Sequence, residues 1–331
     1  MELCCITGYG KRIRREKGLV VIDPIPSEKD QTKKVILNPE DLSLVLISGD
    51  HDLTTSAIRS FLQHGAELVL LDRYGSPEGY LLPVGKSPLI ERAERQRSVP
   101  DSRCLAIARE IVGQAIRNKA VLLKGVMKNR PDNLPDCSPI LYTLEGKARS
   151  AGSRDELFGI EGTATRHYYA GLGTVIPSSF GFQGRNRNPP RDPVNALLSY
   201  GYGILYGVIR TALVRARLSP FYGVLHAEYR HQEPLVYDFI EEFRQPVVDR
   251  VVVTMISRRQ VSPEYFVVSR GGCRIPDELK RQYAHAVLER LETCYQYDGK
   301  PRMFREIIDA QARLLAYALL EGSHYLQFSY R

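Results

Sequence analysis

No two cysteines in this 331-residue chain have the spacing of a metal knuckle: Cys4, Cys5, Cys104, Cys137, Cys273 and Cys294 are scattered along it. A zinc site built on paired cysteines is therefore not expected, and the thiols read as reduced and structural. The first residues, MELCCITGYGKRIRR, have neither a long apolar run nor a cleavage-like site, so no leader is expected. No stretch reads as the roughly 20 apolar residues that cross a membrane. Repeats and low-complexity tracts are also missing. These absences predict a soluble, cytoplasmic protein with no membrane attachment.

Positive charge is in excess. The 46 Lys and Arg outnumber the 38 Asp and Glu, a formal net charge of +8. A basic balance permits a polyanionic partner without proving one. The excess is local. Residues 101–130 carry Arg103, Arg109, Arg117, Lys119, Lys124, Lys128 and Arg130 against Asp101 and Glu110, seven cations to two acids, a net of +5. Arg187, Arg191, Arg210, Arg215 and Arg217 form a second basic zone.

The length allows two domains at about 150 residues each, and 43% hydrophobic residues can fill their cores. Residues 1–82 alternate short apolar runs with turn signals, as in KGLVVIDP, LSLVLISGD and ELVLLDRYG. One short helix, TTSAIRSFLQHG, starts at a threonine cap and ends at Gly65. A small β-sandwich domain with one helix is predicted there. PVGKS at 83–87 reads as a linker, and 88–331 as a mostly α-helical domain. The class is α+β.

The helix RDELFGIEGTATRHYYAGL poses a chemical problem. Leu157, Ile160, Ala164, Tyr168 and Leu172 recur at helical spacing on one side, and Glu161 falls within that stripe. A buried, unpartnered carboxylate is expensive. Glu161 must therefore reach solvent, pair with an arginine, or bind a metal. Further on, His226 follows a glycine turn. Pro234 then opens a helix with Val236, Phe239, Ile240 and Phe243 on one side and Asp238 and Glu241 on the other. Two carboxylates three apart are either a solvated face or a convergent pair. With a histidine and a second glutamate they supply hard oxygen donors and one imidazole, which suits Mg²⁺ or Mn²⁺.

Four blocks carry a resemblance: GIEGTATRHYY at 159–169, PPRDPVNALLSYGYGILY at 189–206, YGVLH at 222–226 and LVYDFIEEFRQPVVDRVV at 235–252. In their order and spacing the chain resembles the CRISPR-associated endonuclease and integrase of spacer acquisition, nearly end to end. LSLVLISGDHDLTTSAIRSFLQHGAELVLLDRYGSPEGYLLP is similar to that family's β domain. The resemblance implies that Glu161, His226 and Glu241 bind a divalent metal, Mg²⁺ or Mn²⁺. Asp238, one turn before the last ligand, joins the catalytic set, as outer support, proton handler or part-time ligand. The resemblance also implies a homodimer formed through the N-terminal domains and a complex with the small ferredoxin-like CRISPR-associated protein. The implied activity is insertion of new spacer DNA by attack of its 3′ hydroxyl on a phosphodiester. A metal-dependent nuclease resolving branched DNA in repair is the alternative. On either reading the two basic zones bind DNA backbone, and the glycine- and proline-rich loop at 180–191 is mobile until it closes over DNA. Tyr168, Tyr169, Tyr200 and Tyr202 either stack on frayed bases or pack in the core, and Asn195 either reaches a phosphate or caps its helix.

Overall fold

The computed structural model describes residues 2–24, 34–72, 77–84, 89–128, 137–226 and 232–330. Arg130 and most of the 83–87 linker lie outside these residues.

The N-terminal part is built of strands, as the alternation predicts. They are β1 (Glu2–Ile6), β2 (Arg12–Glu16), β3 (Leu19–Asp23), β4 (Val35–Leu37), β5 (Leu42–Ser48), β6 (Asp52–Leu53), β7 (Glu67–Leu71) and β8 (Pro77–Leu81). One sheet runs β1-β5-β7-β8, the other β4-β3-β2-β6. Helix α1 (Thr55–Gln63) starts where the Thr54 side chain accepts the amide of Ala57, and Gly65 takes the left-handed turn after it. Ile13, Val20 and Ile22 from one sheet meet Val45, Ile47 and Leu68 from the other, with Phe61 of α1 between them.

The remaining helices are α2 (Leu89–Arg97), α3 (Asp101–Met127), α4 (Ser138–Ser150), α5 (Arg154–Val175), α6 (Pro193–Arg215), α7 (Pro234–Ile240), α8 (Arg250–Ser257), α9 (Asp277–Glu292) and α10 (Phe304–Leu320). The fold is α+β, strands first and helices after. The pattern predicted neither α4 nor the hairpins β9–β10 (Val267–Ser269, Gly272–Arg274) and β11–β12 (Cys294–Tyr297, Lys300–Met303). These strands are three or four residues long, too short for an alternation to register.

The first sheet is buried on both sides. Val45 and Ile47 face the inter-sheet core, while Leu44, Leu46, Val69 and Leu71 join the helical core. This is why β5 is a continuous apolar run rather than an alternating one. Helix α6 lies on that second side, and its glycines allow the approach. A Cβ at Gly207 would stand 2.9 Å from Leu46, and one at Gly201 2.6 Å from Val248. Each glycine costs a helix about 1 kcal/mol against alanine, and the close packing offsets it. By length and composition α6 is apolar enough to cross a membrane, contrary to the expectation that no stretch approaches this. Most of it is buried inside the protein, as a core helix is.

A fragment of residues 1–82 alone would leave Leu44, Leu46, Val69 and Leu71 uncovered. It is expected to bind a hydrophobic dye, whereas the full chain does not. A dye-silent fragment would contradict this account of the sheet.

Candidate metal centre

Glu161 sits on α5, whose start is fixed by Ser153 accepting the amide of Glu156. Leu157, Ala164, Tyr168 and Leu172 are buried, as the stripe predicts, while Ile160 and Glu161 are half-buried at its edge. The Glu161 carboxylate accepts the Thr165 hydroxyl one turn on, at 2.7 Å through Oε1. Phe158, three residues earlier, packs edge-on to the His226 ring with centroids 5.2 Å apart. This contact brings α5 to the histidine.

His226 lies in a loop whose shape over residues 224–226 is imposed by one carboxylate. Asp238 on α7 accepts the backbone amides of Val224 and Leu225 through Oδ2, at 2.6 and 3.0 Å. Through Oδ1 it takes the amide of His226 at 3.1 Å and meets the ring Nδ1 at 2.6 Å. Both oxygens are thereby occupied, so Asp238 orients the imidazole and leaves Nε2 to face a ligand. Gly223 is required by the tightness of this turn. A Cβ there would lie 2.6 Å from the His226 carbonyl oxygen and 2.8 Å from Asp238 Oδ2. Two more side chains hold the loop. The buried amide of Gln96 donates to the carbonyls of Ser219 and Tyr222, and Arg154 donates to that of Val224. Burial lowers the His226 pKa, but the hydrogen bond and charge of Asp238, with the charges of Glu241 and Glu161, outweigh it and leave the pKa raised.

Glu241 follows α7, where the helix changes register. Pro246 has no amide hydrogen, so the carbonyl of Glu242 loses its donor four residues on. The chain takes a π-helical path over Arg244–Asp249, and Asn118 of α3 donates to the freed Glu242 carbonyl at 2.7 Å. Gln114 in turn donates to Asn118 at 2.7 Å. Such π segments are frequent at functional sites. Adjacent glutamates then face different partners. Glu242 accepts the Tyr325 hydroxyl and the amide of Phe328, pinning the C-terminal segment, and burial pushes its pKa up to about 8. Glu241 meets Arg244 at 2.8 Å and the Lys119 ammonium at 3.6 Å. Burial raises the Glu241 pKa, while Arg244, Lys119 and His226 lower it further than burial raises it.

Glu161, His226 and Glu241 thus come from three segments to one region, close enough for both carboxylates to act on the imidazole. Two carboxylates and an imidazole backed by a carboxylate fit a hard divalent cation. Among the described residues no three such side chains are grouped around one point. In this arrangement Glu241 is engaged by Arg244 and Lys119.

Several expectations need correction. Asp238 and Glu241 are not a solvated face, since both are buried. Nor do they converge on one point, because Asp238 is turned to the loop. For Tyr168, Tyr169, Tyr200 and Tyr202 no correction is needed, since of their two readings the core one is observed. Tyr168 and Tyr202 donate to the buried Asp249 at 2.5 and 2.6 Å, and Tyr169 meets Tyr202. Asn195 is fully buried and takes Gly184, Asp192, Arg185 and the amide of Asn186 as partners, so it organises the loop start. The loop at 180–191 is tied down rather than open, and the amide of Cys273 also donates to its Pro190 carbonyl. Arg210 and Lys119 are buried and leave the two basic zones, whereas Arg117, Lys124, Lys128, Arg187, Arg191, Arg215 and Arg217 remain exposed. Lys119, Arg244 and Asp249 were not singled out as site residues. Pro246 was the available signal for Arg244, since it forces the register change.

The chain is similar to known proteins along nearly its whole length. A family model described as CRISPR associated protein Cas1 matches residues 4–289. A CRISPR-associated endonuclease Cas1 of Methanospirillum hungatei is 40% identical over 332 residues, covering all of both chains. Another, of Archaeoglobus fulgidus, is 33% identical over 93% of each. The fold matches a casposase bound to integration product with a TM-score of 0.89 at 22% identity, over 99% of this chain and 93% of that one. It matches a CAS1 protein from Thermotoga maritima with a TM-score of 0.81 at 24% identity, over the whole of both.

Proposed function

The chain belongs to the CRISPR-associated Cas1 family, and from that premise we propose that it is a divalent-metal-dependent DNA endonuclease and integrase that inserts spacer DNA into a CRISPR array. The observation that carries this reading is the imidazole of His226. Asp238 holds its Nδ1, and Glu161 and Glu241 stand close enough to raise its pKa. Glu161, His226 and Glu241 would hold Mg²⁺ or Mn²⁺. When bound, such an ion supplies Lewis acidity at a phosphate oxygen and offsets charge on the leaving oxygen. The relatives are endonucleases by name, and one structural neighbour is a casposase on its integration product.

The chain's own groups do the rest. Asp238 fixes the tautomer and direction of His226. Arg117, Lys124 and Lys128 on α3, with Arg187, Arg191, Arg215 and Arg217, offset phosphate charge without reading bases. In strand joining, the 3′ hydroxyl of the incoming strand loses its proton and forms a bond to phosphorus while the bond to the leaving 3′ oxygen breaks. One phosphodiester replaces another, so no nucleotide cofactor is needed.

Residues 88–331 are proposed as the catalytic domain and 1–82 as the part that dimerises. Val35 and Ile36 on the edge strand β4 are about half exposed, at 48% and 58%. An apolar edge of this kind suits pairing with a second copy. A small ferredoxin-like adaptation protein is the proposed partner, and a structural neighbour that is a Cas6-RT-Cas1–Cas2 complex supports a protein partner for this chain.

Branched DNA with a free 3′ hydroxyl, incubated with Mn²⁺ or Mg²⁺ and run on a denaturing gel, tests the reading. The wild-type protein should join strands. Glu161→Ala should still bind DNA and lose joining by more than the roughly 100-fold seen for outer supporting residues. Strand release without joining would favour a nuclease acting on branched DNA. Full joining by the variant would remove Glu161 from the chemistry.

A further inference from the structure

Lys119 stands out among the cations of α3. Arg117, Lys124 and Lys128 point to solvent, but Lys119 is turned inward and is only 2% exposed. Among the described residues its ammonium makes no close hydrogen bond, and the Glu241 carboxylate is the group it pairs with. A buried ammonium is among the most expensive groups a core can hold unless an acid offsets its charge. Methionine would fill a similar volume without that cost. What faces the ammonium is acidic. Glu241 Oε2 lies 3.6 Å away, and the charge also acts on Asp249. Asp249 is itself engaged by the hydroxyls of Tyr168 and Tyr202. The other oxygen of Glu241 is taken by Arg244. The neighbouring Asn118 grips the carbonyl of Glu242. One turn of α3 therefore holds both the backbone and the side-chain charge of the segment that carries Glu241.

We propose that Lys119 is a positioning residue of this site. Its fixed charge, opposite Arg244, holds the Glu241 carboxylate between two internal cations, and a divalent cation must compete with them for that ligand. The inference rests on the reading of Glu161, His226 and Glu241 as ligands. It also sets a direction. Removing the ammonium frees one carboxylate oxygen and takes a positive charge away from where the ion would sit. Both changes tighten metal binding.

The test is calorimetric titration of the full-length protein with Mn²⁺, without DNA. Wild type, Lys119→Met, Lys119→Gln, Lys119→Arg and Glu161→Ala are compared, with an unfolding midpoint for each. Lys119→Met and Lys119→Gln should bind Mn²⁺ about tenfold more tightly than wild type, as loss of a nearby like charge implies. Lys119→Arg keeps the charge and should restore wild-type affinity. A residue that only filled space would shift the unfolding midpoint and leave Mn²⁺ affinity alone. Wild-type or weaker binding by folded Lys119→Met and Lys119→Gln would overturn the proposal. If Lys119→Met does not fold, Lys119→Gln against Lys119→Arg decides. Unchanged binding by Glu161→Ala would instead overturn the ligand assignment beneath it, a distinguishable result.

Discussion

Replacing Asp238 with asparagine is expected to lower metal affinity and strand joining by about 100-fold and to destabilise the fold by about 2–4 kcal/mol. The argument is a count of lone pairs. Asp238 meets four donors with two oxygens: the amides of Val224 and Leu225 on one, the amide and ring Nδ1 of His226 on the other. Asparagine has one oxygen. Turned one way, its NH₂ faces the buried amides of Val224 and Leu225, which lose their acceptor; turned the other way, it faces the amide of His226, which loses its acceptor, and the ring Nδ1, which must change tautomer to accept. If the loop keeps the oxygen, the imidazole loses its orientation. If the imidazole keeps it, the loop loosens under its own ring. Glutamate is no rescue, because the turn at Gly223 leaves no space for a longer side chain. Denaturant midpoint and Mn²⁺ titration measure the two losses separately. An asparagine variant with both at wild-type values would show that Asp238 neither clamps the loop nor orients the histidine.

Arg210→Met should be the most destabilising single change away from the site, by about 3–5 kcal/mol. Arg210 on α6 donates through Nε to Glu233, at 2.8 Å to one oxygen, and its Nη1 lies 3.5 Å from Glu67 of β7. Thr211 also donates to Glu67, and Tyr206 to Glu233. Methionine fits the volume but takes the paired cation from two buried carboxylates, leaving Glu67 the weaker charge of Arg215. Burial already raises the Glu67 pKa despite Arg210, and the variant raises it further. An acid whose pKa is raised on folding makes the fold less stable as pH climbs through the unfolded and then the folded value. The deficit should therefore be smaller at about pH 5 than at about pH 8. Urea midpoints at the two pH values provide the check. A deficit independent of pH would mean that the loss is one of packing.

How much of this was legible in the sequence depends on the range of the interaction. α1, α5, α6 and α7 are announced by local signals: Thr54, Ser153, Asp192 and Pro234 at their starts, and apolar residues at helical spacing after them. The oddity of Glu161 in its stripe pointed to the right region, since a carboxylate near a core needs an external reason. Asp238 was placed in the site but with its role open, because nothing in its spacing to Glu241 says that it faces the backbone of residues 224–226. Lys119 and Arg210 were taken for surface cations. Their burial is set by carboxylates 122 and 23 positions away, Glu241 and Glu233. A charge count along the chain cannot separate a cation that faces phosphate from one that faces a buried acid. The four tyrosines and Asn195 had two readings each, and tertiary contacts with Asp249 and with the loop at 184–186 select the internal one.

The register change after Glu241 has a consequence for how this stretch can vary between generations of the gene. An α-helix turns about 100° per residue, and the π segment over Arg244–Asp249 carries its chain round with wider hydrogen-bonded rings. A substitution there alters one side chain. The wider rings are what hold the extra residue, so loss of one codon would let the ladder close in α-helical rings while Val252 and Ile256 of α8 keep facing the core. What such a loss would take away is the freed Glu242 carbonyl that Asn118 holds beside Glu241.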